Sequence, residues 1–212
     1  EVTIKGKAAH GAMPWEGNNA IVRAADFIQI LEKELVPKLR EKKHPHLPHS
    51  TLNVSKIQAG VNSNAVPEIC KMLIDRRYVP GETRESVIQE IEQILARLSI
   101  VSGIEWEIKV VWDGGSPVNT NPQERLVQTM LEAVHEVTGE TAALTGYRQG
   151  SDGRLFTDWG IPIVHFGPSD PAVGHSTDER VSVRQLIDAT KIYALTILRM
   201  LKKHETNPGA QR

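Results

Sequence analysis

The sequence contains one cysteine, Cys70, so no disulfide can form within the chain. A single thiol suits a reducing compartment, and on this ground we expect a cytoplasmic protein. Long hydrophobic runs are also lacking, because none approaches the roughly 20 apolar residues that a membrane-spanning helix requires. We therefore expect a globular chain that does not cross a membrane.

The sequence also lacks an excess of either charge. Lys and Arg together number 25 and Asp and Glu together 26, for a net charge of -1. A surface that binds nucleic acid or an anionic membrane needs a basic excess. The strand and helix order of the first half also occurs in RNA-recognition domains, but those stack bases on aromatic side chains. None of the early predicted strands offers a suitable pair of aromatic residues, and we expect neither nucleic-acid nor membrane binding.

Hydrophobic periodicity divides the first half into strands and helices. Residues 18–36 and a second segment around 87–98 place apolar side chains at helical spacing. Segments beginning near residues 2, 52, 69 and 104 have the pattern of strands, the last of them alternating over 104–112. Two helices on one face of an antiparallel four-stranded sheet give a ferredoxin-like α+β sandwich. We expect this domain to span residues 1–113.

The pattern changes after the segment from Asp113 to Pro117. A helix is predicted from Asn121, as its cap, to Gly139, and a second helix begins after the cap residue Ser182. Between them, residues 161–166 form an apolar run that predicts a strand buried on both faces. This α/β segment has too few strands to close a sheet alone. We therefore expect residues 114–212 to be part of a larger domain.

Four sequence clusters stand out along the chain. They are Gly6-Lys-Ala-Ala-His10-Gly-Ala-Met-Pro14 with Gly17-Asn-Asn-Ala20, Gly60-Val-Asn-Ser-Asn64-Ala-Val-Pro67, Asp75-Arg-Arg77, and Gly150-Ser-Asp-Gly-Arg154 followed by Gly174-His175-Ser-Thr-Asp-Glu179. Taken together, in this order and spacing, they resemble the family of zinc-dependent aminoacylases, acetylornithine deacetylases, succinyl-diaminopimelate desuccinylases and glutamate carboxypeptidases. The resemblance covers nearly the whole chain and corresponds to the C-terminal half of such a protein.

The resemblance implies an architecture and a cofactor. In that family a ferredoxin-like dimerisation domain, also called the lid, interrupts an α/β catalytic domain of the zinc-peptidase type. It implies a homodimer formed through residues 1–113 and two divalent ions in the complete enzyme, zinc or else cobalt or manganese. The C-terminal part of the catalytic domain then corresponds to residues 114–212.

His175 is the candidate metal ligand. It follows the predicted buried strand, and active sites of α/β sheets collect beyond the ends of strands. Neutral imidazole is a common zinc ligand. Spacing alone favours an ordinary loop histidine beside a helix cap, since one histidine is not a metal site. The family resemblance implies instead that His175 binds one of two metal ions.

His10 and Asn64 are candidates for stabilising the reacting carbonyl group. The resemblance implies that His10 reaches the active site of the other subunit and polarises the substrate carbonyl there. It implies that Asn64 donates a hydrogen bond to the same intermediate. The residues alone favour a solvent-facing turn histidine, and an asparagine chosen for turn geometry competes with the second role.

Arg77, Gly150 and Ser151 are candidates for substrate binding. Arg76 and Arg77 must point to opposite faces of a strand, and the family pattern selects Arg77 to hold a substrate carboxylate. A solvated arginine on a sheet face is the alternative. Gly150 and Ser151 begin a predicted helix, whose free N–H groups favour a carboxylate or carbonyl oxygen. The desuccinylases carry threonine where this chain has Gly150, which puts their particular substrate in doubt.

The other metal ligands of the family do not occur in this sequence. The similar enzymes supply a His-x-Asp pair, a bridging aspartate and a Glu-Glu pair before the dimerisation domain, and we expect that N-terminal half of the catalytic domain to be a partner of this chain. The expected function is hydrolysis of the amide bond of an N-acyl amino acid or small peptide by a metal-activated water. This chain alone would be inactive. The alternative is a non-catalytic dimerisation or peptide-binding module.

Overall fold

A computed structural model describes residues 1–147, 150–169, 173, 174 and 176–202. The chain divides into two compact units, Glu1–Pro117 and Val118–Arg212.

The first unit is built on an antiparallel sheet of four strands. Its strands are β1 (Val2–Lys5), β3 (Thr51–Ala59), β5 (Ile69–Arg77) and β6 (Glu105–Ile108), in the order β3-β5-β1-β6. Two further short strands, β2 (Ala9–His10) and β4 (Ala65–Val66), pair with each other outside this sheet. With two helical segments packed on one face, this strand order confirms the predicted ferredoxin-like sandwich.

The first helical segment is longer than the sequence predicts. It comprises α1 (Ala20–Ile30), a π-helical turn (Leu31–Leu35) and α2 (Val36–Glu41). The predicted end near residue 36 is therefore wrong. Pro37 lies in the first turn of α2, directly after the π turn in which the N–H of Val36 donates to the carbonyl oxygen of Leu31.

The second helix, α3 (Arg84–Ser102), begins and ends at clear signals. The Thr83 side chain accepts a hydrogen bond from the backbone N–H of Ser86, and the Ser86 hydroxyl accepts one from the N–H of Thr83. Gly103 ends the helix in the left-handed region at φ 67°. The strand that follows is shorter than the predicted 104–112. Ile108 lies opposite Val2, and the pairing ends with two backbone hydrogen bonds that Lys109 exchanges with Glu1.

The core of the first unit lies between its helices and the sheet. Because alternate residues of a strand point to opposite faces, β1 and β5 each bury one set of side chains beneath the helices. The fully buried large side chains are Ile4, Phe27, Leu31, Leu39, Cys70, Met72 and Leu95. This core supports the sheet that carries Arg77, whereas His10 and Asn64 belong to the separate β2–β4 pair and its turn.

The second unit is helical in its described part. It contains α4 (Arg125–Thr138), a 3-10 helix (Asp152–Trp159) and α5 (Val183–Leu201), with α4 and α5 packed around Met130, Ala133, Val134 and Ile192. Gly139 ends α4 in the left-handed region and Ser182 caps α5, both as predicted. The predicted cap of α4 is wrong. Asn121 instead accepts from the N–H of Gln123 in a preceding turn, and Glu124 is the cap residue.

The strand predicted at 161–166 does not form. The backbone of Ile163 is bonded at both its polar groups to one side chain, because Thr120 Oγ1 accepts from its N–H at 2.9 Å and donates to its carbonyl oxygen at 2.6 Å. A side chain therefore satisfies the groups that a neighbouring strand would bond. Among the described residues, no helix combines the length and the apolar character needed to span a membrane.

Candidate functional site

His10 and Asn64 are brought side by side by the small β2–β4 pair. His10 lies opposite Ala65, and the N–H of Gly11 donates to the carbonyl oxygen of Asn64 at 2.7 Å. The His10 side chain is exposed, and its Nδ1 accepts from the N–H of Ala12 at 3.1 Å. A neutral imidazole that accepts at Nδ1 carries its proton on Nε2. His10 is thereby prepared to donate a hydrogen bond from Nε2.

Two glycines allow the close approach of these segments. A Cβ on Gly11 would lie 2.9 Å from the carbonyl carbon of Asn64, and one on Gly17 would lie 2.8 Å from the carbonyl oxygen of Lys7. Contacts below 3.0 Å force a shift of the backbone. Gly11 therefore lets the His10 turn lie against Asn64, and Gly17 lets its own segment lie against Lys7.

Arg77 is exposed on the open face of the sheet. Its Nη2 and Nε lie 3.2 Å from Asp75 Oδ2, and its side chain is 67% exposed, so the guanidinium can exchange this partner for a ligand. The neighbouring Arg76 points to the other face, as predicted, and its side chain is only 5% exposed. Of the two arginines, Arg77 is therefore the one that a ligand can reach.

The strand end that carries Arg77 is held by a buried ionic network. Arg76 donates to Glu82 Oε1 at 2.5 Å, to Glu90 Oε2 at 3.2 Å and to the carbonyl oxygen of Arg77 at 2.6 Å. Lys42 and Ser50 also donate to Glu82. Burial alone would raise the pKa of Glu82, but the hydrogen bonds from these groups outweigh it and lower that pKa from 4.5 to about 2.

Arg77 lies far from His10 and Asn64 of the same chain. Asn64 lies in the connection between the end of β3 at Ala59, which is opposite Cys70, and the start of β5 at Ile69. Arg77 is the last residue of β5. Eight steps of about 3.3 Å separate Ile69 from Arg77, which places them about 26 Å apart. One small substrate cannot contact both groups of a single subunit.

Ser151 and His165 form a pair in the second unit. Ser151 is the cap residue of the 3-10 helix, and its Oγ accepts from the N–H of Gly153 at 3.2 Å. The same Oγ lies 2.6 Å from His165 Nε2, and the His165 ring lies against that of Tyr147 at a centroid distance of 4.6 Å. Both members of the pair line an open cavity of about 290 Å³, together with Gly153, Ile163, Val164 and Phe166.

Sequence reasoning did not select His165. The segment 161–166 was interpreted as a buried apolar strand, and the histidine inside that run was the signal that contradicted the interpretation. Gly150 is exposed and immediately precedes Ser151, as expected for a helix start. Arg154 donates from Nη1 to the carbonyl oxygen of Ser151 at 2.7 Å and thereby supports this start.

The candidate metal ligand His175 lies outside the described residues. Within the described part of the chain, no group of three or more His, Cys, Asp or Glu side chains is placed to hold a metal ion. The described side chains therefore do not fit a metal centre. What they offer is hydrogen-bond donors and a guanidinium.

Comparison with known proteins agrees with the motifs. Residues 1–101 match the M20 peptidase dimerisation domain. An acetylornithine deacetylase from Myxococcus xanthus is 33% identical over 201 residues, which cover 93% of this chain and 51% of that protein. A succinyl-diaminopimelate desuccinylase from Marinobacter nauticus is 28% identical over 200 residues, which cover 94% of this chain and 50% of that protein. This chain thus spans about half the length of the curated relatives it matches.

A solved structure agrees with the fold. The crystal structure of a tripeptidase from Staphylococcus aureus matches 94% of this chain and 50% of its own, with a TM-score of 0.72 and 24% sequence identity. This likeness concerns the fold alone. The family resemblance drawn from the sequence motifs is confirmed by the domain match and by the relatives that align along nearly the whole chain. Residues 1–101 therefore carry the dimerisation domain of the M20 peptidases, and nearly the whole chain is similar to about half of a deacetylase and of a desuccinylase.

Proposed function

We propose that this chain supplies the C-terminal half of a divalent-metal-dependent hydrolase. The reaction is cleavage of the amide bond of an N-acyl amino acid or a small peptide, and zinc is the proposed metal. Alignment with a deacetylase along 93% of this chain, and the tripeptidase-like fold, support this assignment. A cytoplasmic location, proposed from the single buried thiol of Cys70, is compatible with it.

Two donors of the first unit are assigned to the reacting carbonyl group. His10 donates from Nε2 to the carbonyl oxygen of the substrate, and the Asn64 side-chain amide donates to the same oxygen. Donors aimed at the oxygen on which negative charge develops stabilise the transition state, and each is worth about a hundred- to a thousand-fold in turnover. The bond from Gly11 to Asn64 supports a shared task for the two residues.

Arg77 is assigned to the free carboxylate of the substrate. Its exposed guanidinium has the paired N–H groups that match the two carboxylate oxygens. Ser151, with Gly150 before it, is assigned to a substrate oxygen at the start of the 3-10 helix. The described residues do not form a metal centre, and for this reason the roles proposed for them are binding and polarisation.

The separation of His10 from Arg77 is the observation that carries the proposed homodimer. The length of β5, about 26 Å, separates Arg77 from the end of the strand near His10. A substrate held by Arg77 must therefore receive its carbonyl donors from a second copy of the chain. We propose that residues 1–113 are the dimerisation domain and that α1 and the edge strand β3 form the contact. An edge strand with free N–H and C=O groups is a template for pairing across a two-fold axis.

The assay of the complete protein tests this function. We expect it to hydrolyse N-acetyl or N-succinyl amino acids or dipeptides, to lose activity to a chelator and to regain it with zinc. Sedimentation should show a dimer. A metal-loaded dimer without turnover on any of these substrates would favour the second candidate, a non-catalytic dimerisation or peptide-binding module.

A further inference from the structure

The Ser151 hydroxyl has a small and countable set of hydrogen-bonding positions. A hydroxyl offers one proton and two lone pairs. One lone pair is used by the N–H of Gly153, which is a fixed donor at 3.2 Å. His165 Nε2, at 2.6 Å, takes one of the two positions that remain. Among the described residues, one position of the hydroxyl is therefore left for a ligand in the cavity, whichever way the bond with His165 runs.

The direction of the Ser151–His165 bond decides which position is left. If the serine proton goes to His165, the ligand must donate to Oγ. If His165 donates from Nε2, both lone pairs of Oγ are used and the serine proton is left for the ligand. The substrate groups assigned to this place, a carboxylate or a carbonyl oxygen, are acceptors. Only the second arrangement lets Ser151 bind them.

We propose that His165 is a positioning residue that donates from Nε2 to Ser151 and so directs the serine proton to a substrate oxygen. This inference rests on the proposed function, because it takes the ligand to be an oxygen of an N-acyl amino acid or peptide. His165 itself acts through Ser151. Its ring is held by Tyr147 on one side, and the serine by the start of the 3-10 helix.

The shape of the cavity agrees with such a ligand. Ile163, Val164 and Phe166 give it apolar walls, and Ser151 and His165 are the side chains that bring polar atoms to it. A short acyl chain or an amino-acid side chain can lie against these walls while one oxygen meets the hydroxyl. Binding sites for small molecules commonly combine apolar walls with a few polar groups that fix orientation.

The direction of the bond is measured by NMR of the imidazole nitrogens in the chain labelled with ¹⁵N-histidine. His165 is assigned by the signals that disappear in His165→Gln. We expect Nε2 to carry a proton at a pH where the ring is neutral. An unprotonated Nε2 would overturn the proposal. This measurement requires no activity, so it separates a failure of this inference from a failure of the proposed function.

A double-mutant cycle in the complete enzyme measures whether His165 acts through Ser151. A hydrogen bond to a charged group is worth about 1.5 kcal/mol or more, so Ser151→Ala should raise KM about tenfold with kcat little changed. His165→Leu should do the same, and the double variant should be no worse than either single one. His165→Gln, whose amide can also donate, should keep most of the binding. The matched control is His135→Leu, an exposed histidine of α4, which should leave both constants unchanged.

Three outcomes contradict the proposal. Additive effects, about a hundredfold in KM for the double variant, would show that His165 acts independently of Ser151. A loss in His165→Gln as large as in His165→Leu would show that donation is not what matters. A fall in kcat of about a thousandfold or more in Ser151→Ala, with KM unchanged, would indicate a nucleophile instead. An enzyme without turnover on any acyl amino acid or peptide would contradict the proposed function, and with it the ligand named here.

Discussion

The N–H of Gly11 donates to the carbonyl oxygen of Asn64 at 2.7 Å, and this bond joins two sequence clusters that lie far apart along the chain. It places the exposed ring of His10 beside Asn64, with His10 Nδ1 occupied by the N–H of Ala12. The arrangement depends on the absence of a side chain at residue 11, because a Cβ there would lie 2.9 Å from the carbonyl carbon of Asn64. The glycine therefore positions the two proposed carbonyl donors relative to each other.

Gly11→Ala should reduce turnover although it touches no proposed donor. The added methyl group must push the His10 turn away from Asn64, and a displacement of about 1 Å costs on the order of a hundredfold in rate. Steady-state kinetics of the complete enzyme check this. Gly167→Ala is the matched control, because its Cβ would meet, among the described residues, only the Tyr193 hydroxyl, at 3.9 Å. Equal turnover in the two variants would show that the Gly11 contact does not position the site.

Arg77→Lys should weaken binding of substrates with a free carboxylate although the charge is kept. A lysine cannot form the two parallel hydrogen bonds of a guanidinium, and we expect kcat/KM to fall by about tenfold or more. The comparison substrate is the same molecule amidated at that carboxyl group, for which the loss should be small. Arg97→Lys is the matched control, since Arg97 is an exposed arginine of the same unit paired with Glu34. Equal losses of kcat/KM on both substrates would show that Arg77 does not bind the substrate carboxylate.

The sequence predicted the first unit well because its signals are local. Alternating strands, helical spacing and turn residues all act over a few neighbours, and together they specify the ferredoxin-like sandwich. One error was local, because the first helix was expected to end near residue 36 but continues through a π turn into α2. Another error involved a contact between residues far apart along the chain. Residues 161–166 have the composition of a strand, yet the Thr120 side chain takes the backbone bonds of Ile163.

The candidate site could be predicted only as a set of residue types. The motifs selected His10, Asn64 and Arg77, but no spacing along the chain shows that the first two are adjacent and the third lies at the other end of β5. His165 was missed because its partner, Ser151, approaches it only in three dimensions. Periodicity describes one element at a time, and a site formed between elements depends on how they pack.

Glu82→Gln should destabilise the chain in a manner that depends on pH. The pKa of Glu82 in the folded chain is about 2, below its ordinary value of 4.5. A carboxyl group with a lowered pKa stabilises the fold above its unfolded pKa, and this stabilisation is lost as the pH falls from about 4.5 towards about 2. At pH 7 the lowered pKa corresponds to about 3 kcal/mol in the free energy of unfolding.

Urea unfolding of the wild-type chain and Glu82→Gln at pH 7 and at pH 3 checks this. We expect a lower midpoint for the variant at pH 7 and a smaller difference at pH 3, where the wild-type carboxylate has lost part of its advantage. Glu107→Gln serves as the control, because Glu107 is 61% exposed in its pair with Lys5 and should change little at either pH. A gap between wild type and Glu82→Gln that is as wide at pH 3 as at pH 7 would contradict the lowered pKa.

Mixing two inactive variants tests whether one active site uses both subunits. His10→Ala and Arg77→Ala should each suppress turnover in the complete enzyme, for different reasons. His10 lies opposite Ala65, just before β5 begins, and Arg77 is the last residue of β5, so a substrate bound by Arg77 takes its carbonyl donors from the partner subunit. In a heterodimer of the two variants, one site then combines an intact Arg77 with an intact His10, and the other site lacks both.

Random exchange makes about half of the dimers heterodimers, and one of the two sites in each is intact. The mixture should therefore regain about a quarter of the wild-type activity. If both residues served the site of their own subunit, every site would lack one of them and mixing would restore nothing. Native mass spectrometry of the mixture, with one variant carrying a tag of different mass, verifies that subunits have exchanged. A mixture that remains inactive although heterodimers are present would refute the shared site, because the distance between His10 and Arg77 leaves complementation as the only way to complete it.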